Sequence, residues 1–167
     1  MNIVRWALTA VILWSVSVLF AADAPARQTG KVLLVYDEID KSSESYLKTF
    51  REELQKMGFT VDEAALKTMK DKDPTSYERI AIYARVMAFT RMSFVRDWIL
   101  KVKSLKGKRV TLFVTANRWF NEKLMKELAA LITNREGTVV DAVSMATKKA
   151  TVTEKAEKIG AHLSNLK

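Results

Sequence analysis

The stretch Leu105-Lys106-Gly107-Lys108-Arg109-Val110-Thr111-Leu112-Phe113-Val114-Thr115 decides how this chain folds. It opens with a polar turn around one glycine and continues into an apolar, β-branched run. The run does not alternate polar with apolar residues. A strand with one wet face alternates, whereas a strand covered on both faces does not, and parallel sheets are built from the second kind. Lys31-Val32-Leu33-Leu34-Val35-Tyr36 has the same character, and so does Arg79-Ile80-Ala81-Ile82-Tyr83.

Working outward, residues 59–66 and 138–145 read as two further strands. Between the strands the period changes from two to nearly four. Residues 43–57 carry Tyr46, Leu47, Phe50, Leu54 and Met57 at helical spacing, with Ser42 or Ser43 to cap the start and Gly58 to end the helix. Residues 92–102 repeat this through Val95, Trp98, Ile99 and Val102. Residues 121–133 do so through Leu124, Leu128, Leu131 and Ile132, and residues 153–166 through Ala156, Ile159, Gly160 and Leu163. Residues 67–76 form a polar, charged connection holding Pro74. Strands alternating with helices predict an α/β domain of three layers, with a five-stranded, doubly wound parallel sheet between helices. In such sheets a ligand lies beyond the C-terminal strand ends, here loops 37–42, 84–93 and 116–120.

Composition narrows the chemistry. The 167 residues suit one domain, and a hydrophobic content of 49% supports a packed core. The absence of cysteine excludes disulfides, thiol catalysis, zinc–thiolate and iron–sulfur sites, and a lipoprotein anchor. With a single histidine, His162, the common nucleophile–base pairings lack parts. His162 near the end of the last helix reads as a surface residue. No phosphate-binding P-loop, dinucleotide fingerprint or metal cluster is present, and no catalytic residue is assigned.

The first 26 residues have the three-part build of a secretion signal. Arg5 supplies a positive start, residues 6–20 are almost wholly apolar, and Ala24 and Ala26 stand at the spacing a signal peptidase reads. The alternative is an uncleaved membrane anchor, although the apolar run is shorter than the roughly 20 residues a spanning helix needs. Residues 27–30 are then a linker and residues 31–167 the domain, periplasmic or secreted. Arg5 and Asp23 cancel, so the mature domain keeps the net charge of +9. A basic surface favours an anionic small molecule, an acidic protein or a membrane surface, and export argues against nucleic acid. Lys148, Lys149, Lys155 and Lys158 read as a wet helix face.

Two stretches carry a likeness to a known family. Tyr77-Glu78-Arg79-Ile80-Ala81-Ile82-Tyr83, followed across a loop by Phe94-Val95-Arg96-Asp97-Trp98-Ile99, resembles the third strand and following helix of flavodoxins and flavodoxin-like quinone-coupled oxidases. Residues 105–115 resemble their fourth strand and residues 31–36 their first. The resemblance covers residues 31–166 and implies strand order 2-1-3-4-5, a flavin mononucleotide (FMN) site at the C-terminal edge, and electron transfer to a quinone-like or protein acceptor. If the chain is an enzyme, the resemblance makes it an FMN-dependent oxidoreductase.

The resemblance also places the FMN phosphate on the loop after the first strand, where Lys41, Ser42, Ser43 and Ser45 offer charge and hydroxyls. It places the ring against Arg85, Met87, Phe89 and Arg91 of the second loop and Asn117 and Trp119 of the third. The first loop departs from the family pattern. Asp37, Glu38 and Asp40 bring three carboxylates to the place where a dianion should approach, and the family glycine is missing. Those carboxylates also suit a divalent cation, or simply a polar loop with a helix cap. Two readings of function stand side by side. One is an exported FMN electron carrier. The other is a non-enzymatic exported module that binds an anionic ligand, an acidic partner or a membrane surface through Arg85, Arg91 and Arg118.

Overall fold

The computed structural model describes residues 30–38, 40–41, 43–67, 72–86, 93–117, 121–148 and 150–167. Within them the chain forms β1 (Gly30–Tyr36), α1 (Glu44–Lys56), β2 (Phe59–Ala65), β3 (Arg79–Arg85), α2 (Phe94–Lys101), β4 (Arg109–Ala116), α3 (Asn121–Asn134), β5 (Thr138–Ala146) and α4 (Val152–Ser164). The five strands make one parallel sheet in the order β2-β1-β3-β4-β5, as the resemblance implies. Between β2 and β3 the described residues hold a single 3-10 turn, Pro74–Ser76, whose first N–H is capped by Asp73.

The uniform apolar runs are explained by their place in the sheet. Val32–Tyr36, Ile80–Ala84 and Val110–Ala116 are buried along their whole length. Side chains of alternate parity supply two cores. One lies under α1 and α4, around Tyr46, Phe50, Leu54, Tyr83, Phe113 and Ile159. The other lies under α2 and α3, around Ile82, Val95, Ile99, Leu112, Leu128 and Ile132. Phe113 anchors the first core. Its ring meets Phe50 edge-on with centroids 5.3 Å apart, and Tyr46 stacks on Tyr83 at 5.8 Å. Strand β5 is the sheet edge and only half-buried, and a register shift between Val110 and Thr111 adjusts its pairing with β4.

Element ends differ from the sequence reading by a residue or two, for local reasons. Helix α2 starts at Phe94 rather than 92, because Ser93 is extended and its hydroxyl accepts from Arg96 N. Helix α4 starts at Val152 rather than 153, behind a capping box in which Thr151 and Glu154 bond each other's backbone N–H. It stops as a regular helix at Ser164, although Leu166 is still packed in the core. Strand β3 runs on to Arg85, where it pairs with Thr115 of β4.

The expected turn at 105–108 forms. Lys108 N donates to Leu105 O at 2.9 Å, and Lys106 and Gly107 both have positive φ. Gly58, also at positive φ, closes α1 as expected.

His162 is a correction. Expected on the surface, it is buried, with Nδ1 2.7 Å from Asp141 Oδ2. It stands three residues after Ile159 and four before Leu166, so helical spacing carries it into the same apolar stripe. Of the lysines expected on a wet face, Lys148 and Lys158 are exposed, Lys155 is half-buried and Lys149 lies outside the described residues. Lys155 lies over the Tyr46 ring and Lys158 donates to Ser144 O.

Truncating Phe113 removes the ring on which both α1 and α4 rest. Phe113→Ala should cost about 3–5 kcal/mol of stability. Urea unfolding followed by circular dichroism measures this, and a loss under about 1 kcal/mol would show that the core closes over the gap.

Candidate functional site

The C-terminal ends of β1, β3 and β4 lie side by side at one edge of the sheet, because these strands are neighbours and parallel. At the switch point between β1 and β3, the first residue past β1 is Asp37. Its side chain is nearly fully buried. Oδ1 accepts from Val95 N at 2.9 Å and from the Ser93 hydroxyl at 3.1 Å, and Oδ2 accepts from Arg85 N at 2.9 Å. One carboxylate thus ties β1 to the end of β3 and to the N-terminus of α2, where backbone N–H groups and the helix dipole favour an anion. Burial pushes the Asp37 carboxyl up from its ordinary value, and the donors from Arg85, Val95, Ser93 and Phe94 pull it back down.

The next loop is closed on itself. Asp40 Oδ1 accepts from Ser43 N at 2.8 Å, and the Ser43 hydroxyl accepts from Asp40 N at 2.9 Å. The two residues bond each other reciprocally just ahead of α1, whose N-cap is Ser43. Serine at 42 or 43 was expected to cap α1. Ser43 does hold the N-cap position, but its hydroxyl makes no bond to the helix; it bonds Asp40 N and, at 3.1 Å, Glu38 O instead. The carbonyl of Asp40 takes the N–H groups of Ser43 and Glu44. Its second carboxylate oxygen, Oδ2, accepts from Arg85 Nη1, and Glu38 pairs with Lys67.

Asp37, Glu38 and Asp40 therefore do not crowd one point as like charges. Glu38 pairs with Lys67, while Asp37 and Asp40 take different groups of Arg85, its backbone N–H and its guanidinium. Among the described residues no group of three or more carboxylate or histidine side chains is arranged to hold a metal ion.

The other site residues expected from the sequence divide into two groups. Lys41, Ser45 and Asn117 are described and exposed at this edge. Arg85 stands at the end of β3 with its side chain 21% exposed, its charge facing Asp40 rather than open solvent. Ser42, Met87, Phe89, Arg91, Arg118 and Trp119 lie outside the described residues. Below the edge, Tyr83 OH and Thr115 Oγ1 bond at 3.1 Å inside the core. The structure adds Asp37 and Ser93 to the residues that shape this edge. The signal for Ser93 was present in the sequence as a serine just ahead of an apolar helix. The signal for Asp37 was not, because its partners lie 48 to 58 residues away.

The FMN phosphate can be tested against this geometry. In the resemblance it sits on hydroxyls and amides of the loop entering the first helix. Here those amides are bonded by Asp40, and the Ser43 hydroxyl is committed to the loop itself. The Ser43 and Glu44 amides and the Ser43 hydroxyl are thus already bonded within the chain, and as placed they do not offer the phosphate the free donors of the family loop; Ile39 and Ser42 of this loop lie outside the described residues.

No family model and no curated protein matches the chain. Solved structures do match. A short-chain flavodoxin associated with a non-canonical PDU bacterial microcompartment superposes with a TM-score of 0.62 at 10% identity, covering 82% of this chain and 99% of that one. The flavodoxin of Streptococcus pneumonia TIGR4 gives 0.64 at 13% identity, covering 81% and 97%. A putative quinone reductase from Klebsiella pneumoniae gives 0.62 at 14% identity, covering 82% and 83%. With the observed strand order, these similarities make the fold of this chain flavodoxin-like.

Asp37→Ala leaves the N–H groups of Arg85 and Val95 and the Ser93 hydroxyl without their shared acceptor. It should lower stability by about 2–3 kcal/mol. Thermal unfolding tests this, and a Tm within a degree of the parent would show that water replaces the carboxylate without loss.

Proposed function

We propose that this chain is an exported flavodoxin-like binding module that works without FMN. The observation that supports this reading is the Asp40–Ser43 box with Arg85 against it, which meets at the entry to α1 the needs a phosphate would otherwise meet. A net charge of +9 makes an anionic small molecule or an acidic protein its natural partner, with a membrane surface as a further candidate. Export rests on the build of residues 1–26. Among the described residues no helix is long and apolar enough to cross a membrane, and residues 1–26 lie outside them.

A second reading keeps the flavin. It is favoured by the near-complete coverage of two flavodoxins by this chain and by the exposed Lys41 and Ser45 beside the loop. A bound flavin brings its own redox chemistry, so a lack of catalytic side chains is no obstacle.

Titration of the purified chain with FMN, followed by flavin fluorescence, separates the two. The first reading expects no saturation below about 1 mM, which is a binding energy of only about −4 kcal/mol. Micromolar binding would establish the second. Asp40→Asn removes the internal charge and leaves Arg85 facing the α1 N-terminus. Its affinity for FMN or inorganic phosphate should rise at least about tenfold, some 1.4 kcal/mol, over the parent. An unchanged affinity would mean that Asp40 does not stand in for a phosphate.

Export has its own test. Protein recovered from outside the cytoplasm should begin at Arg27 by mass spectrometry, and an intact N-terminus in the membrane fraction would show the anchor instead.

A further inference from the structure

At the end of the sheet opposite loop 37–43, the last turn of α4 is held by three strands. Asp141 of β5 accepts from His162 Nδ1 at 2.7 Å and from Asn165 Nδ2 at 3.1 Å. Arg109, at the start of β4, donates to Asn165 O at 3.0 Å. Arg79, its register partner on β3, donates to Leu166 O at 2.7 Å. The two guanidinium groups serve the unpaired carbonyls and negative dipole end of the helix.

The His162 side chain has no exposed surface. Its ring lies edge-on to Phe50, centroids 6.4 Å apart, and to Phe113, at 5.4 Å. An ionised Asp141 only accepts, so Nδ1 carries the proton and Nε2 is a bare lone pair. That Nε2 is buried and has no partner among the described residues. Thr111 Oγ1, on the residue paired with Asp141, is likewise buried without a partner.

We propose that His162 is an acid-sensitive latch, and that protonation of its Nε2 releases α4 from α1, β4 and β5. The neutral ring satisfies its one donor on Asp141 and lets its other edge rest against aromatic carbon. The charged ring gains a second N–H with nothing to receive it and a charge to be held beside Phe50 and Phe113.

Asp141 on β5 favours the imidazolium. Arg109 on β4 and Arg79 on β3 are turned to the carbonyls of Asn165 and Leu166, just past the end of α4. Glu53 of α1 lies against Gly160, within 3.6 Å of where a side chain there would begin, but is paired with Lys56 at 2.7 Å. On α4 itself Lys158 is turned to Ser144 O.

Burial wins and holds the imidazole below its ordinary value, with Asp141 offsetting only part of the cost. Once α4 is released the ring returns to about 6.5. The released form therefore binds the proton more tightly. The latch is intact above about pH 6.5 and weakens as pH falls through the lower, folded value, its opening constant rising by at most about tenfold per pH unit. Helix α4 takes part in no strand pairing of the sheet, so its release breaks none.

His162 is the only histidine in the chain, so its ring signals can be followed alone by NMR in the full-length protein. The expected result is a midpoint below 6.5, and a midpoint at or above 6.5 would overturn the proposal. Hydrogen exchange, corrected for the intrinsic pH dependence, should show protection of residues 152–166 falling between pH 7.5 and 5 while β1, β3 and β4 stay protected. In His162→Phe, which fills the same space without titrating, that selective loss should disappear. If the variant loses protection in α4 with acid as the parent does, His162 is not the latch. If the variant does not fold, the parent alone decides: loss of protection in residues 152–166 must accompany protonation of His162, and a helix that stays protected while the ring titrates would overturn the proposal.

Discussion

Strands β1, β3 and β4 have no side facing water, and this constraint orders everything else in the molecule. Helices cover the sheet above and below, so the residues along the middle of these strands are apolar or bonded internally, with the buried Thr111 Oγ1 an exception among the described residues. Thr115 with Tyr83 is a case of the second kind. Charge is therefore driven to the two ends of the strands, and both polar clusters of interest lie there. A sheet wet on one face would have scattered the same charges along its length.

The two ends solve related problems with opposite signs. At the C-terminal end the exposed N–H groups of α1 and α2 call for anions, and Asp40 and Asp37 supply them from within the chain. At the N-terminal end the last carbonyls of α4 call for cations or donors, and Arg79 and Arg109 supply them. In many sheets of this type the first need is left for a ligand to meet. Here it is met internally, and this makes the fold a poor guide to the chemistry of the site. Arg85 illustrates the difference. At the edge of a basic protein it looks like a binding residue, yet its charge faces Asp40.

Much of the fold was legible in the sequence because strands and helices announce themselves locally. The non-alternating runs at 31–36 and 110–115, the helical stripe from Tyr46 to Leu54, and the turn at Gly107 each depend on neighbours within a few residues. His162 was legible in principle, since its spacing from Ile159 and Leu166 places it on the apolar stripe. The general preference of histidine for half-exposed positions pulled the reading the other way, and the Asp141 carboxylate that makes its burial tolerable lies 21 residues off. The acidic loop was read as three like charges facing one point. In the structure each carboxylate is instead bonded within the chain, Glu38 to Lys67 and Asp37 and Asp40 to different groups of Arg85.

By itself the sequence determined the class of fold, the places where chain direction reverses, the absence of thiol chemistry and the basic balance of the surface. These follow from composition and from periodicities that act over one or two turns of chain. Only the tertiary structure decided the partners of Asp37, Asp40, Arg85 and His162. A carboxylate can cap its own loop, cap a helix 58 residues away, meet an arginine or wait for a ligand. Which of these it does depends on which donors the sheet brings within 3 Å, and that distance exists only once the strands have been laid side by side.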